Sequence, residues 1–107
     1  MNHCIFSGYL LFDPSNGLES GEGTSVCNFQ LVTYEYTRNK RGEKKRYPTT
    51  VTLQAFDSGA DAIAKLGKKG MKMTIHASAR ENRERKFCDS DVVFRVNQFD
   101  FGCLDKE

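Results

Sequence analysis

Lysine and arginine side chains are concentrated in three short stretches of this sequence. Six of the sixteen lie within residues 38–46, where Glu43 is the single acid, and four more lie in each of residues 65–72 and 80–86. Most of the acids lie elsewhere, near the two ends or within residues 57–61. A single basic run is ordinary solvated surface. Three such runs next to predicted strands favour a polyanionic partner, although the net charge is only +2.

Aromatic side chains lie beside these basic stretches. Three tyrosines flank residues 38–46, Phe56 lies on the polar face of an alternating segment, and Phe87 follows the third basic stretch. Cations neutralise phosphates, and an exposed ring offers an unpaired base a stacking platform that contributes ~1–3 kcal/mol. The two features together predict a surface for single-stranded nucleic acid. Its predicted residues are Tyr34, Tyr36, Arg38, Lys40, Arg41, Lys44, Lys45, Arg46, Tyr47, Phe56, Lys72, Arg80, Arg83, Arg85, Lys86 and Phe87.

Some of these rings have a second interpretation as core residues. Tyr34 shares its predicted face with Val32, which leaves burial and stacking equally open. Tyr36 and Phe56 lie on more polar faces, and for them we expect exposure and a stacking role.

Residues that could perform catalysis or hold a metal are few. His3 and His76 are the only histidines, and the alternation of strand residues puts His76 on an outward face. The four cysteines are widely spaced without a C-x-x-C pair, and we expect reduced thiols. The sequence has no P-loop, no dinucleotide fingerprint and no hydrolase motif. We therefore predict a protein that is not an enzyme and that uses no metal or cofactor.

Periodicity predicts the elements that must position the basic and aromatic side chains. Alternation of apolar and polar residues predicts five strands, and an apolar stripe predicts a short helix that follows Ser58 and ends near Gly67. Like charges and Gly42 predict that residues 38–46 form the tip of a hairpin. Turn residues predict a loop at residues 13–24, and charge without periodicity predicts another at residues 80–91. The predicted strands are residues 3–10, 26–36, 50–56, 71–80 and 92–101.

Five strands with a helix between the third and the fourth follow the order of the OB-fold. We therefore predict an all-β protein, a five-stranded Greek-key barrel with one short helix between strands 3 and 4. The predicted domain spans residues 1–103, and residues 104–107 form a short C-terminal end. No apolar run is long enough for a membrane helix and the first residues lack signal-peptide features. We expect the cytoplasm of a bacterial cell or of a phage-infected host.

Several segments, taken in order and at their spacing, resemble the bacterial single-stranded-DNA-binding protein family. They are residues 1–8 (MNHCIFSG), 13–14 (DP), 23–31 (GTSVCNFQL), 53–56 (LQAF) and 66–70 (LGKKG). The similarity extends over about residues 1–101. It implies sequence-independent binding and protection of single-stranded DNA during replication, recombination and repair. It also implies a homo-oligomer, tetramer or dimer, with a contact at the first strand, and replication or repair proteins as possible partners.

The resemblance also assigns roles and shows two departures. The family's aromatic at the end of the second strand corresponds to Tyr36, and its phenylalanine in the third strand corresponds to Phe56. The family's two tryptophans fall at Thr50 and near Glu84, with Phe87 as a possible substitute for the second. The usual acidic tail, which recruits partner proteins, is not present in residues 104–107.

Two other functions are compatible with the same pattern. One is a primosomal replication-restart OB protein, which lacks the tail and binds single strands mainly through basic loops. The other is an RNA-binding or protein-interaction OB module. The oligomer stoichiometry and the partner proteins would distinguish the replication-restart protein from a single-stranded-DNA-coating protein. Equal affinity for single-stranded DNA and RNA, or no affinity for either, would favour the RNA-binding or protein-interaction module. Discrimination of RNA from DNA depends on the 2′-OH.

Overall fold

The computed structural model describes residues 1–21, 24–83 and 90–104, and the order of its elements follows the prediction. A 3-10 helix follows the first strand, and the α-helix lies between the long hairpin and the last two strands. The elements are β1 (Cys4–Leu10), the 3-10 helix (Pro14–Gly17), β2 (Leu18–Gly21), β3 (Thr24–Arg38), β4 (Lys44–Phe56), α1 (Asp57–Leu66), β5 (Met71–Glu81) and β6 (Val92–Leu104).

The strands close into a barrel. Their order in the sheet is β1-β5-β6-β4-β3-β2, and a further pairing between β1 and β3 at Tyr9↔Val32 and Leu10↔Leu31 closes the ring. All pairings are antiparallel except that between β4 and β6. The five barrel strands are those predicted from periodicity, and the predicted all-β OB-fold with one short helix is confirmed.

Two local predictions are wrong. The predicted loop at residues 13–24 contains the short strand β2, which pairs with the start of β3 from Leu18↔Cys27 to Gly21↔Thr24. This segment adds to the edge of β3 through its backbone, so its polar side chains give no alternating pattern. The helix begins at Asp57 rather than after Ser58, and the N-cap residue makes no side-chain hydrogen bond to the helix.

The core lies on the inward face of the alternating strands. Phe29, Leu31, Leu53 and Ile75 are fully buried, and Ile63 of α1 packs with them. Neighbouring residues of the same strands point outward, as alternation requires. The core therefore fixes which side chains of β3 and β4 face solvent.

The hairpin between β3 and β4 extends beyond the barrel as a two-stranded ribbon. Pairing continues to Arg38↔Lys44, and all residues from 41 to 50 are exposed. Only residues 39–43 form the turn, where Asn39 Oδ1 accepts the backbone N–H groups of Arg41 and Glu43 at 2.9 Å. The prediction of a loop over residues 38–46 is therefore wrong for its two ends. The strands can pair despite the many lysines and arginines of residues 38–46, because successive side chains of a strand point to opposite faces and both faces of the ribbon are solvated.

Candidate nucleic-acid interface

One outward face runs without interruption along β3 and β4. From Val26 to Arg38 of β3 it spans twelve residue steps, or roughly 40 Å at the usual rise of a strand. Residues that are paired across the two strands share this face, which polar and aromatic side chains dominate. The outward pairs are Val26↔Phe56, Asn28↔Gln54, Gln30↔Thr52, Val32↔Thr50, Tyr34↔Pro48, Tyr36↔Arg46 and Arg38↔Lys44.

A cation lies over each of two rings at the ribbon end of this face. Lys44 Nζ lies 4.5 Å from the centroid of the Tyr36 ring, and Arg46 Cζ lies 4.4 Å from that of Tyr34. These distances are those of cation–π contacts. Tyr36 is 58% exposed, as predicted, whereas Tyr34 is half-buried, with its ring centroid 6.2 Å from that of Tyr9.

A third ring with a cation lies at the opposite end of the face. The guanidinium carbon of Arg95 lies 4.4 Å from the centroid of the half-buried Phe56. The parallel pairing of β6 with β4, which aligns Arg95 with Gln54, brings the two together. Sequence reasoning missed Arg95. Its only signal was a charged residue in an alternating strand, which is typical of plain surface.

Phe56 also lines an open pocket of about 490 Å³. The floor consists of outward side chains of β3 and β4, among them Asn28 and Gln54. The 3-10 turn and β2 form one wall, and residues 81–83 with Val93 form the other. The pocket therefore lies where two loops meet over the barrel strands.

Four of the five remaining predicted residues of the ribbon do not share this face. Lys45 and Tyr47 alternate with Lys44 and Arg46, so they lie on the opposite face, where Tyr47 is half exposed. Lys40 and Arg41 lie in the turn. Arg38 lies on the outward face, where its Nη1 donates to the carbonyl oxygen of Gly42 at 3.4 Å.

The predicted cations outside the ribbon are distributed around the barrel. Lys72 is exposed on β5 opposite Tyr9, which contacts Tyr34. Arg80 is exposed on β5 opposite Val93 at the pocket wall. Arg83 lines the pocket and forms an ion pair with Glu81 at 3.2 Å. The predicted residues Arg85, Lys86 and Phe87 lie outside the described residues.

The described residues offer no group of three or more metal ligands. His76 Nδ1 and His3 Nε2 lie 3.3 Å apart as an exposed pair. The Cys27 thiol is buried beside the 3-10 turn, where its Sγ donates to the carbonyl oxygen of Pro14 at 3.3 Å. Burial raises the pKa of this thiol from 9.0 to about 11, so it stays protonated at neutral pH and is a poor nucleophile. In the described parts of the chain, no helix has the length and apolar character to span a membrane.

Comparisons with known proteins agree with this geometry. The model of the Single-strand binding protein family matches residues 1–96. A sequence search of curated proteins found no match.

Solved structures share the fold at low sequence identity. A deletion mutant of the single-stranded DNA binding protein from Thermus aquaticus superposes with a TM-score of 0.77 at 16% identity, and the wild-type protein with 0.74 at 16%. Each alignment covers 94% of this chain and 50% of the other, so the chain spans about half the length of the Thermus proteins. The Plasmodium falciparum SSB in complex with ssDNA superposes with a TM-score of 0.74 at 22% identity, covering 98% of this chain and 96% of that one.

Proposed function

Since its family model matches residues 1–96, this chain belongs to the single-strand binding protein family, and we propose that it binds single-stranded DNA along the outward face of β3 and β4. The observation that carries this proposal is the set of three rings on that face, each with a cation 4.4–4.5 Å from its centroid. The family is a binding family without enzymatic activity, and the prediction of a non-enzyme is confirmed.

The paired rings and cations provide both contacts that a single strand requires. A base that stacks on Tyr34, Tyr36 or Phe56 displaces the cation from that ring or takes the ring's other side. The displaced lysine or arginine stays within reach of the adjacent phosphate and neutralises it, with release of counterions. Every base has a π-face, so this binding tolerates any sequence.

The proposal is tested by fluorescence anisotropy with labelled oligo-dT, its duplex and oligo-rU, each at low and moderate salt. We expect tight, salt-sensitive binding of oligo-dT and little binding of the duplex. Absence of binding to oligo-dT, or equal binding to the duplex, would leave the fold without the proposed function. Equal affinity for oligo-rU would favour an RNA-binding module.

We also propose that the chain forms a homo-oligomer, a dimer or tetramer, through β1. Along one edge β1 pairs with β5 from Cys4 to Tyr9, but along the other it pairs with β3 only at Tyr9 and Leu10. In the described structure the second edge is therefore free near Ile5, which is 58% exposed. Free strand edges pair readily with another strand. The molar mass in solution, measured by light scattering, tests this proposal.

The cellular role follows from the family. We propose coating and protection of single strands in replication, recombination and repair, with replication or repair proteins as partners. We further propose one domain at residues 1–103, a short end at residues 104–107, and the cytoplasm of a bacterial cell or phage-infected host as its place of action.

A further inference from the structure

The amide of Asn28 is an unsatisfied polar group at the floor of the 490 Å³ pocket. The residue is 8% exposed, and its Oδ1 is buried without a hydrogen-bond partner among the residues that the structure describes. Leaving such an acceptor unpaired costs ~1–3 kcal/mol. Buried polar groups are nearly always paired, so an exception requires an explanation.

The cover over Asn28 is a built feature of the fold. The 3-10 turn lies so close that a side chain at Gly17 would overlap the carbonyl oxygen of Asn28, with a Cβ only 1.8 Å away. Pro14 of the same turn is buried, and its carbonyl oxygen accepts a hydrogen bond from the Cys27 thiol. The 3-10 turn is therefore packed directly against the backbone of Asn28, whose side chain is buried next to it.

The charges that line the pocket disfavour an anionic ligand and suit an uncharged one. Neutral amides come from Asn28, Gln54 and Asn16, whereas Glu19 and Glu81 supply carboxylates. Among the lining residues that the structure describes, the one cation is Arg83, which forms an ion pair with Glu81. A phosphate would meet net negative charge from these described lining residues. An uncharged heterocycle with donors and acceptors on its edge fits both the amides and the apolar walls.

We propose that this pocket takes one unpaired nucleobase by its hydrogen-bonding edge, with Asn28 as the residue that reads it. The inference rests on the proposed DNA-binding function and adds to it a contact other than stacking. An amide presents a donor and an acceptor side by side, as it does when asparagine binds adenine in duplex DNA. Rotation about χ2 exchanges Oδ1 and Nδ2, so the same amide matches several base edges and the binding stays tolerant of sequence.

Phe56 lines the same pocket, so one base can stack on its ring and hydrogen-bond to the Asn28 amide at the same time. Its ring forms part of the lining, one residue pair along the face from Asn28 and Gln54. A base whose face lies on this ring has its edge directed across the floor. Stacking therefore positions the base, and the amide completes the contact.

The test compares oligo-dT with an oligonucleotide of difluorotoluene nucleosides, which keep the shape and stacking face of thymine but not its hydrogen-bonding edge. We expect wild-type protein to bind oligo-dT about tenfold more tightly, since an acceptor left unpaired loses roughly that factor. In Asn28→Leu the ratio of the two affinities falls to about one. Gln30→Leu, which changes an amide on the same face of β3 outside the pocket, keeps the wild-type ratio.

Each other outcome has a definite meaning. Equal wild-type affinity for the two oligonucleotides overturns the base-edge contact and leaves DNA binding standing, whereas no binding of either contradicts the proposed function itself. A wild-type ratio that persists in Asn28→Leu removes Asn28 as the reading residue.

The melting temperature of Asn28→Leu is expected to equal or exceed that of wild type, because the unpaired acceptor is gone. A large decrease assigns Asn28 a structural role and overturns the inference. Asn28→Ala, measured in parallel, separates loss of the amide from the bulk of leucine.

Discussion

The ribbon and the pocket are the two ends of one face, and although each holds a ring with a nearby cation, they differ in burial and in the charge of their surroundings. At the ribbon, Tyr36 is exposed to solvent and Lys44 lies over its ring. At the pocket, Asn28 is buried, amides form the floor, and carboxylates lie among the lining residues. The ribbon is suited to phosphates and base faces, and the pocket is suited to a base edge in addition to the base face that stacks on Phe56.

The difference arises from where each end lies relative to the barrel. Beyond the barrel no core supports β3 and β4, so only a charged, solvated ribbon is stable there. Over the barrel, two loops cover the same strands and exclude water from part of the face. The same pair of strands therefore provides two kinds of contact. Binding at the ribbon depends strongly on salt, whereas hydrogen bonds in the pocket depend on it little.

The largest expected effect is that of removing the two cations that lie over rings of the ribbon. Lys44→Ala combined with Arg46→Ala should weaken binding of oligo-dT on the order of a hundredfold at low salt, because hydrogen bonds to charged groups contribute ~1.5–3 kcal/mol each. Anisotropy titrations over a range of salt should show the slope of log K against log salt reduced by about 1.4, or ~0.7 for each lost phosphate contact.

The opposite face of the same ribbon supplies the control. Lys40→Ala combined with Lys45→Ala removes the same charge from the turn and from the face that Tyr47 shares. We expect a clearly smaller loss of affinity and a smaller change in the salt slope. Equal losses in the two double variants would show that the ribbon attracts DNA by its total charge and that neither face is a specific contact.

A smaller effect is expected from the ring at the pocket end. Phe56→Ala should weaken binding of oligo-dT about tenfold through loss of one stacking platform, with an unchanged salt slope because no charge is removed. The half-buried Phe56 lies on the outward face, so the melting temperature should change little.

Phe29 provides the comparison for stability. It is fully buried on the inward face of β3, and Phe29→Ala should destabilise the fold by ~3–5 kcal/mol. If Phe56→Ala lowered the melting temperature by a similar amount, the ring would belong to the core and its assignment to the binding face would be wrong.

The sequence predicted the parts of this site that depend on local pattern. Alternation identified the five barrel strands and the outward side of β3, and turn chemistry identified the hairpin. The ribbon was predicted as a loop because its like charges suggested that no strand was possible. Once β3 and β4 are extended through the ribbon, the same alternation places Lys44 and Lys45 on opposite faces.

Other parts depend on contacts between distant segments. The contact of Arg95 with Phe56 requires the parallel pairing of β6 with β4, which no local pattern encodes. The close packing of the turn at Gly17 against the backbone of Asn28 is likewise a contact between separate segments. In the sequence Asn28 is only a polar residue at the start of an alternating segment, and no local pattern indicates its enclosure.

The smallest expected effect concerns the stability of the pocket end at high pH. Cys27 lies beside the turn that covers the pocket, and burial raises the pKa of its thiol to about 11 from 9.0. Because the folded pKa is the higher one, the folded state holds the proton more tightly. The resulting stabilisation is fully present below pH 9 and is lost as the pH rises toward 11.

Thermal or urea unfolding of wild type and Cys27→Ala at about pH 8 and about pH 9.5 measures this contribution. The stability of wild type relative to the variant should fall by roughly 1 kcal/mol between the two pH values. Lysines and tyrosines that titrate in the same range are present in both proteins and cancel in the difference. A difference that does not change with pH would show that the thiol is free to ionise in the folded protein, and that the turn over Asn28 is open enough to admit water.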